Sequence, residues 1–242
     1  SLACSALLDR ALKECDAPAD VSQLVIADRE AGAVLVDSPA VAVVSATGSE
    51  RMGAEIGPRV AARFGHTILE LGGNNAAIVT PSSDLELAVR GIVFAAAGTA
   101  GQRCTSLRRV IVHESIADDL VQRIADVYGR LTVGNPNDAD TLVGPLINAH
   151  AFEAMQASIA EAVSDGGTLV AGGDRQEIGD PAAYYVRPAL VRMPGQTPVV
   201  RRETFAPLLY VLTYADLDEA IALQNDVPQG LSSSIFTLDQ RE

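Results

Sequence analysis

"VAVVSATGSERMGAEIGPRVAARFGHTILEL", residues 41–71, reads as strand, helix, strand. Its two ends, 41–46 and 66–71, are short, apolar and β-branched, as strands buried in a parallel sheet are. Between them Met52, Ile56, Val60 and Phe64 recur every four residues, which places them along one helix face. Pro58 predicts a kink in that helix. A βαβ unit of this kind makes the chain α/β. Thr47, Gly48 and Ser49 stand where the first strand passes into the helix. Unsatisfied N–H groups at such a start, with no side chain at Gly48, suit a phosphate or a nicotinamide ring. Ser49 reads equally well as a plain helix cap. Neither GxGxxG nor a Walker loop occurs anywhere in the chain.

Outward from this unit the alternation continues. Residues 2–15 read as a helix with Leu8 and Leu12 on its core side, and 21–27 ("VSQLVIA") as a strand. After Gly72 and Gly73 come a strand at 76–79, a helix at 84–97 opened by Asp84, and a strand at 108–113. Ser115 is expected to cap a helix carrying Ile116, Leu120, Ile124 and Val127. A polar loop at 133–145 precedes a helix with Phe152, Met155, Ile159 and Val163. "GGTLVAGG", "YYVRPALV", "PLLYVLTY" and "SSSIFTL" read as strands. Two α/β units divided near Gly72 and Gly73 are expected.

The 242 residues suffice for a substantial core, and 48% hydrophobic with 20% charged residues is a soluble globular composition. A net charge of −13 repels phosphate backbones and anionic lipid, so neither nucleic acid nor membrane is an expected partner. Three cysteines without a CxxC pair, and three histidines far apart, give no disulfide framework and no metal site. No run of about 18 apolar residues is present to span a bilayer, and the first residues carry no signal-peptide pattern.

Two residue types stand out as candidate chemistry. Glu70 interrupts the apolar run "ILELGG"; a carboxylate there is paired, exposed at a strand end, or functional, and burial would make it a better base. Cys104, in "AGTAGQRCTSLRRV" (97–110), follows Gly98 and Gly101, which allow unusual backbone and close approach. Arg103 beside it supplies charge that favours the thiolate. Cys4 and Cys15 sit on a helical pattern and read as core residues. In "RRETFAP" (201–207), Glu203 and Phe205 read either as a loop acid and a core aromatic or as ligand contacts.

TGS, LELGG, GQRC and ETFAP, in that order, with "LVGPLI" (142–147) between the last two, resemble the NAD(P)-dependent aldehyde dehydrogenase superfamily. "ILELGGNNAAIV", "GTAGQRCTSLRRVIVHESI" and "GLSSSIFT" are similar to its antiquitin branch, whose members oxidise α-aminoadipic semialdehyde. The resemblance implies the later part of a Rossmann-type dinucleotide domain at 1–72, followed by an α/β catalytic domain at 73–242. It implies Cys104 as nucleophile and backbone oxyanion donor, Glu70 as the base that activates water, and NAD as cofactor, with NADP a second option. Thr47, Gly48, Ser49, Glu203 and Phe205 would contact that cofactor, and Arg103 the carboxylate of a semialdehyde. It further implies a cytoplasmic homo-oligomer. The family's upstream oxyanion asparagine and cofactor lysine have no counterpart here, and the end precedes the family's last catalytic segment. Two other readings stay open: a variant acylating coenzyme A, and a non-catalytic truncated module.

Overall fold

The structure, a computed structural model, describes residues 2–18 and 20–242. It divides into two compact units, Ser1–Leu71 and Gly72–Glu242. It is an α/β chain.

The first unit runs α1 (Leu2–Glu14), α2 (Arg29–Asp37), β1 (Val43–Thr47), α3 (Glu50–Ala62) and β2 (His66–Glu70). β1 and β2 pair in parallel from Val43↔His66 to Thr47↔Glu70, the expected βαβ unit. Ser49 starts α3 by accepting a hydrogen bond from Met52 N at 3.2 Å, and the helix continues through Pro58. At its other end Phe64 N donates to Ala61 O and Gly65 N to Val60 O, the two bonds of a Schellman motif. That motif puts Phe64 in the left-handed region (φ 60°), and its ring is 95% exposed, so it does not continue the helix face.

Other expectations in this unit are corrected. Residues 21–27 form no strand: among the described residues β1 and β2 pair with each other and with no further strand, and Val21, Leu24, Val25 and Ile26 are exposed. α2, capped by Asp28 through Ala31 N, is a helix the sequence pattern did not announce. α1 buries no residue; Leu8, Cys4 and Cys15 are exposed and Leu12 is half-buried, because nothing packs over that face.

The second unit holds β3 (Asn75–Val79), α4 (Leu85–Ala97), β4 (Leu107–His113), α5 (Ala117–Tyr128), α6 (Ala149–Ser164), β5 (Thr168–Ala171), β6 (Arg175–Gln176), β7 (Tyr185–Val186), β8 (Ala189–Arg192), α7 (Pro198–Arg201), β9 (Leu208–Tyr214), α8 (Leu217–Asn225) and β10 (Ser233–Phe236). Six strands form one sheet in the order β10-β3-β4-β9-β8-β5, parallel except for the β8–β5 pair. Its central strands are nearly continuous in apolar side chains because helices cover them. Ala88, Ile92 and Ala96 of α4, Leu120 and Ile124 of α5, and Met155 and Ile159 of α6 are buried in that core. Asp84 and Asn148 cap α4 and α6. Ser115 is no cap. It lies in a 3₁₀ turn (Glu114–Ile116) with its hydroxyl on His113 Nδ1 at 2.8 Å, and α5 begins without a side-chain cap.

Candidate active site

α4 ends at Ala97, and the next residues turn the wrong way for L-amino acids. Thr99 (φ 53°), Ala100 (φ 53°) and Gly101 (φ 64°) are successively left-handed. Such residues outside glycine cost about 1–2 kcal/mol each, so the surroundings must impose the turn. Ala100 is buried. Gly101 lies so close to the neighbouring loop that a Cβ would stand 2.3 Å from the Ala206 carbonyl oxygen. Gln102 then staples the turn to the 145–147 segment: its Nε2 donates to Pro145 O at 3.2 Å, and its Oε1 accepts from Ile147 N at 2.9 Å. The GQRC and LVGPLI motifs therefore meet in space.

Cys104 emerges from this turn half-buried. Its backbone is held from β3, where Asn75 Nδ2 donates to Cys104 O at 2.8 Å and to Ser106 O at 2.8 Å. Gly73 is glycine for the same reason, since a Cβ there would stand 2.7 Å from Cys104 O. The Arg103 side chain turns away over the Phe94 ring, 5.4 Å from its centroid. Among the described residues it makes no ion pair, and its Nε is buried without a partner.

Arg108, on β4, was not expected as a site residue. Its side chain is 2% exposed, yet it carries a charge into the core beneath the turn. Nη1 donates to Gly101 O at 2.7 Å and Ala206 O at 3.0 Å, and Nη2 to Arg103 O at 3.1 Å. Nη2 also lies 3.7 Å from Glu203 Oε1. Desolvation pulls this guanidinium down to about 10, while Glu203 and then Cys104 pull it back up, so it stays cationic near neutral pH. Glu203 itself accepts from Gly73 N at 3.2 Å. Phe205 is not a core residue: it is 45% exposed, with Arg108 5.4 Å from its ring centroid. The signal for Arg108 was two arginines inside an otherwise apolar strand, and for Asn75 a polar residue at the head of another.

In the first unit, Thr47, Gly48, Ser49 and Glu70 cluster at one end of the two-strand sheet. Thr47 pairs with Glu70, and Gly48 N donates to Glu70 O at 2.9 Å. Glu70 is an exposed strand end, not a buried carboxylate. Ser49 caps α3 and also lines a cavity of about 610 Å³ between α2 and α3, whose apolar lining includes Val36, Met52 and Ile56 and whose charged lining is Arg29, Arg51, Arg59, Glu30 and Glu55.

A family model described as the aldehyde dehydrogenase family matches residues 1–242. The chain belongs to the aldehyde dehydrogenase family. It is 41% identical over 240 residues to the alpha-aminoadipic semialdehyde dehydrogenase of Mus musculus, covering 99% of this chain and 44% of that protein. Aldehyde dehydrogenase family 7 member A1 of Pisum sativum is 41% identical over 237 residues, covering 98% of this chain and 46% of that one. The family chain thus spans a little under half the length of these curated relatives. Among solved structures, lactaldehyde dehydrogenase from Escherichia coli superposes with a TM-score of 0.82 at 38% identity, over 87% of this chain and 44% of that one. Betaine aldehyde dehydrogenase from Staphylococcus aureus, in complex with NAD+, gives 0.82 at 31% identity, over 86% of this chain and 42% of that one. No described helix of this family chain is long and apolar enough to cross a membrane.

Proposed function

We propose that this chain carries the nucleophile and cofactor-side elements of an NAD-dependent aldehyde dehydrogenase, with α-aminoadipic semialdehyde as the aldehyde. The observation that carries the reading is the construction around Cys104: a strained left-handed turn, held by a buried guanidinium and a buried amide, delivers a half-buried thiol. Strain of this kind clusters at sites where geometry matters. The 41% identity to the mouse semialdehyde dehydrogenase supports the substrate. The cavity supports the cofactor: the α3 N-terminus at Ser49 suits a phosphate and the apolar walls suit a ring, while Arg29 and Arg59 are already paired with Glu55.

In this reading the Cys104 thiolate adds to the aldehyde carbon, and the Cys104 N–H donates to the resulting oxyanion. NAD, when bound, supplies the hydride acceptor that turns this adduct into a thioester. Glu70 takes a proton from the water that cleaves the thioester, releasing the acid and restoring the thiol. Thr47, Gly48 and Ser49 in the first unit, and Glu203 and Phe205 in the second, are each read as contacts of the cofactor. Arg103, without a carboxylate of its own, receives the carboxylate of the substrate; a guanidinium suits that anion by two parallel hydrogen bonds. The whole protein is read as a cytoplasmic homo-oligomer.

The test is iodoacetamide alkylation mapped by mass spectrometry, with and without NAD. Cys104 is expected to label faster than the exposed Cys4 and Cys15 and to change rate when NAD is added. Labelling no faster than those two, and indifferent to NAD, would leave a folded module without this chemistry.

A further inference from the structure

Arg108 and Arg109 are neighbours on β4 with side chains on opposite faces, as strand alternation requires. Their surroundings differ. Arg109 donates to the carbonyls of Asn74, Leu223 and Gln224 and to Gln196, tying the end of α8 to the segments before β3 and α7. Arg108 instead touches the Gly101, Arg103 and Ala206 carbonyls, the Glu203 carboxylate and the Phe205 ring. Its contacts reach both the turn before the nucleophile and the loop bearing the cofactor-side acid. Burying a guanidinium is expensive, and a purely apolar residue would fill the space at less cost.

We propose that Arg108 is a positioning residue that locks the Cys104 turn and the Glu203 loop into one unit, so that thiol reactivity and cofactor binding change together. The inference rests on the proposed roles of Cys104 and Glu203. Its physical content is one shared guanidinium. If Glu203 shifts to meet a ribose hydroxyl, the ion that it shares with the turn is redistributed toward Cys104. The charged groups around the thiol in this unit are Arg103 on its own turn, Arg108 on β4 and Glu203 on the 202–207 loop.

The experiment uses the full chain as wild type, Arg108→Lys, Arg108→Gln and Glu203→Gln. Iodoacetamide labelling of Cys104 is followed at pH 7 with and without NAD, with Cys4 and Cys15 as exposed internal standards. Arg108→Gln is expected to label Cys104 about tenfold more slowly, because the nearby positive charge that favours the reactive form is gone, and to lose the response to NAD. Arg108→Lys, which keeps the charge, is expected to stay within about threefold of wild type. Glu203→Gln is expected to move the NAD-free rate the opposite way, upward, while also losing the NAD response. A structural role alone would slow or speed both variants alike. Rates in Arg108→Gln within twofold of wild type, with the NAD response intact, would overturn the proposal and leave the proposed function standing. A wild-type Cys104 that is slow and indifferent to NAD would overturn both. If circular dichroism shows Arg108→Gln unfolded, Arg108→Lys and Glu203→Gln decide: a Glu203→Gln rate that is unchanged or lower overturns the proposal.

Discussion

The side-chain amide of Asn75 donates to the backbone carbonyl of Cys104 at 2.8 Å. The same amide holds Ser106 O at 2.8 Å, and its Oδ1 accepts from Ser232 N at 3.0 Å. One buried side chain at the head of β3 thus ties the Cys104 segment to the approach of β10.

Replacing Asn75 by Ala strands the buried Ser106 carbonyl and removes part-buried bonds to Cys104 O and Ser232 N. An unmet buried group costs about 1–3 kcal/mol, so a loss of about that size is expected, read as a lower denaturation midpoint. A loss below about 0.5 kcal/mol would show that the amide does not hold the segment.

Gly101→Ala is expected to be more damaging. The position combines a φ of 64° with a Cβ site 2.3 Å from Ala206 O, so both backbone strain and a backbone collision follow. A loss above about 3 kcal/mol, or failure to fold, is the expected outcome. Gly195→Ala, with nothing within 4 Å of its Cβ site, is the matched control and is expected to melt like wild type. Equal melting of the two variants would contradict the tight apposition of the turn and the 206–207 backbone.

Arg103→Ala separates recognition from architecture. The side chain makes no ion pair among the described residues, so its removal breaks none. The KM for an amino-acid semialdehyde is expected to rise about tenfold or more, as loss of a charge-assisted pair implies, with the KM for a plain alkyl aldehyde little changed. Equal losses on both aldehydes would assign Arg103 to the loop alone.

Glu70→Gln tests the two half-reactions. On the proposed role of Glu70 as the base, one equivalent of NADH per chain is expected in a burst, followed by turnover slower by about 10²–10⁴-fold. Cys104→Ser is expected to remove the burst itself. A Glu70→Gln chain that releases acid at the wild-type rate would assign Glu70 no part in hydrolysis.

Local chemistry made several elements readable in advance. Asp84, followed by Val89, Ile92, Val93 and Ala96, is a cap before an apolar face, and α4 forms there. "RRVIVH" and "PLLYVLTY" are dense in β-branched and apolar residues, and they become β4 and β9 at the centre of the sheet. The ordered motifs around Cys104, Glu70 and Glu203 pointed to the family that the comparisons show. Residues 21–27 have equally good strand composition and form none, because a strand exists only by pairing and no strand among the described residues pairs with this segment. Phe64 kept the helical spacing, but backbone hydrogen bonds closed the helix before it.

The sequence by itself determined which stretches are apolar, where helices are capped, and which residue types stand in which motif order, because these follow from neighbours a few positions apart. Only the tertiary structure decided that Arg108 sits beneath the 101–103 turn and against Glu203, 95 positions further on, that Asn75 holds the Cys104 carbonyl, and that Thr99 and Ala100 turn left-handed. Those features depend on a buried charge finding partners and on strain being met by distant packing, and neither leaves a periodic trace along the chain.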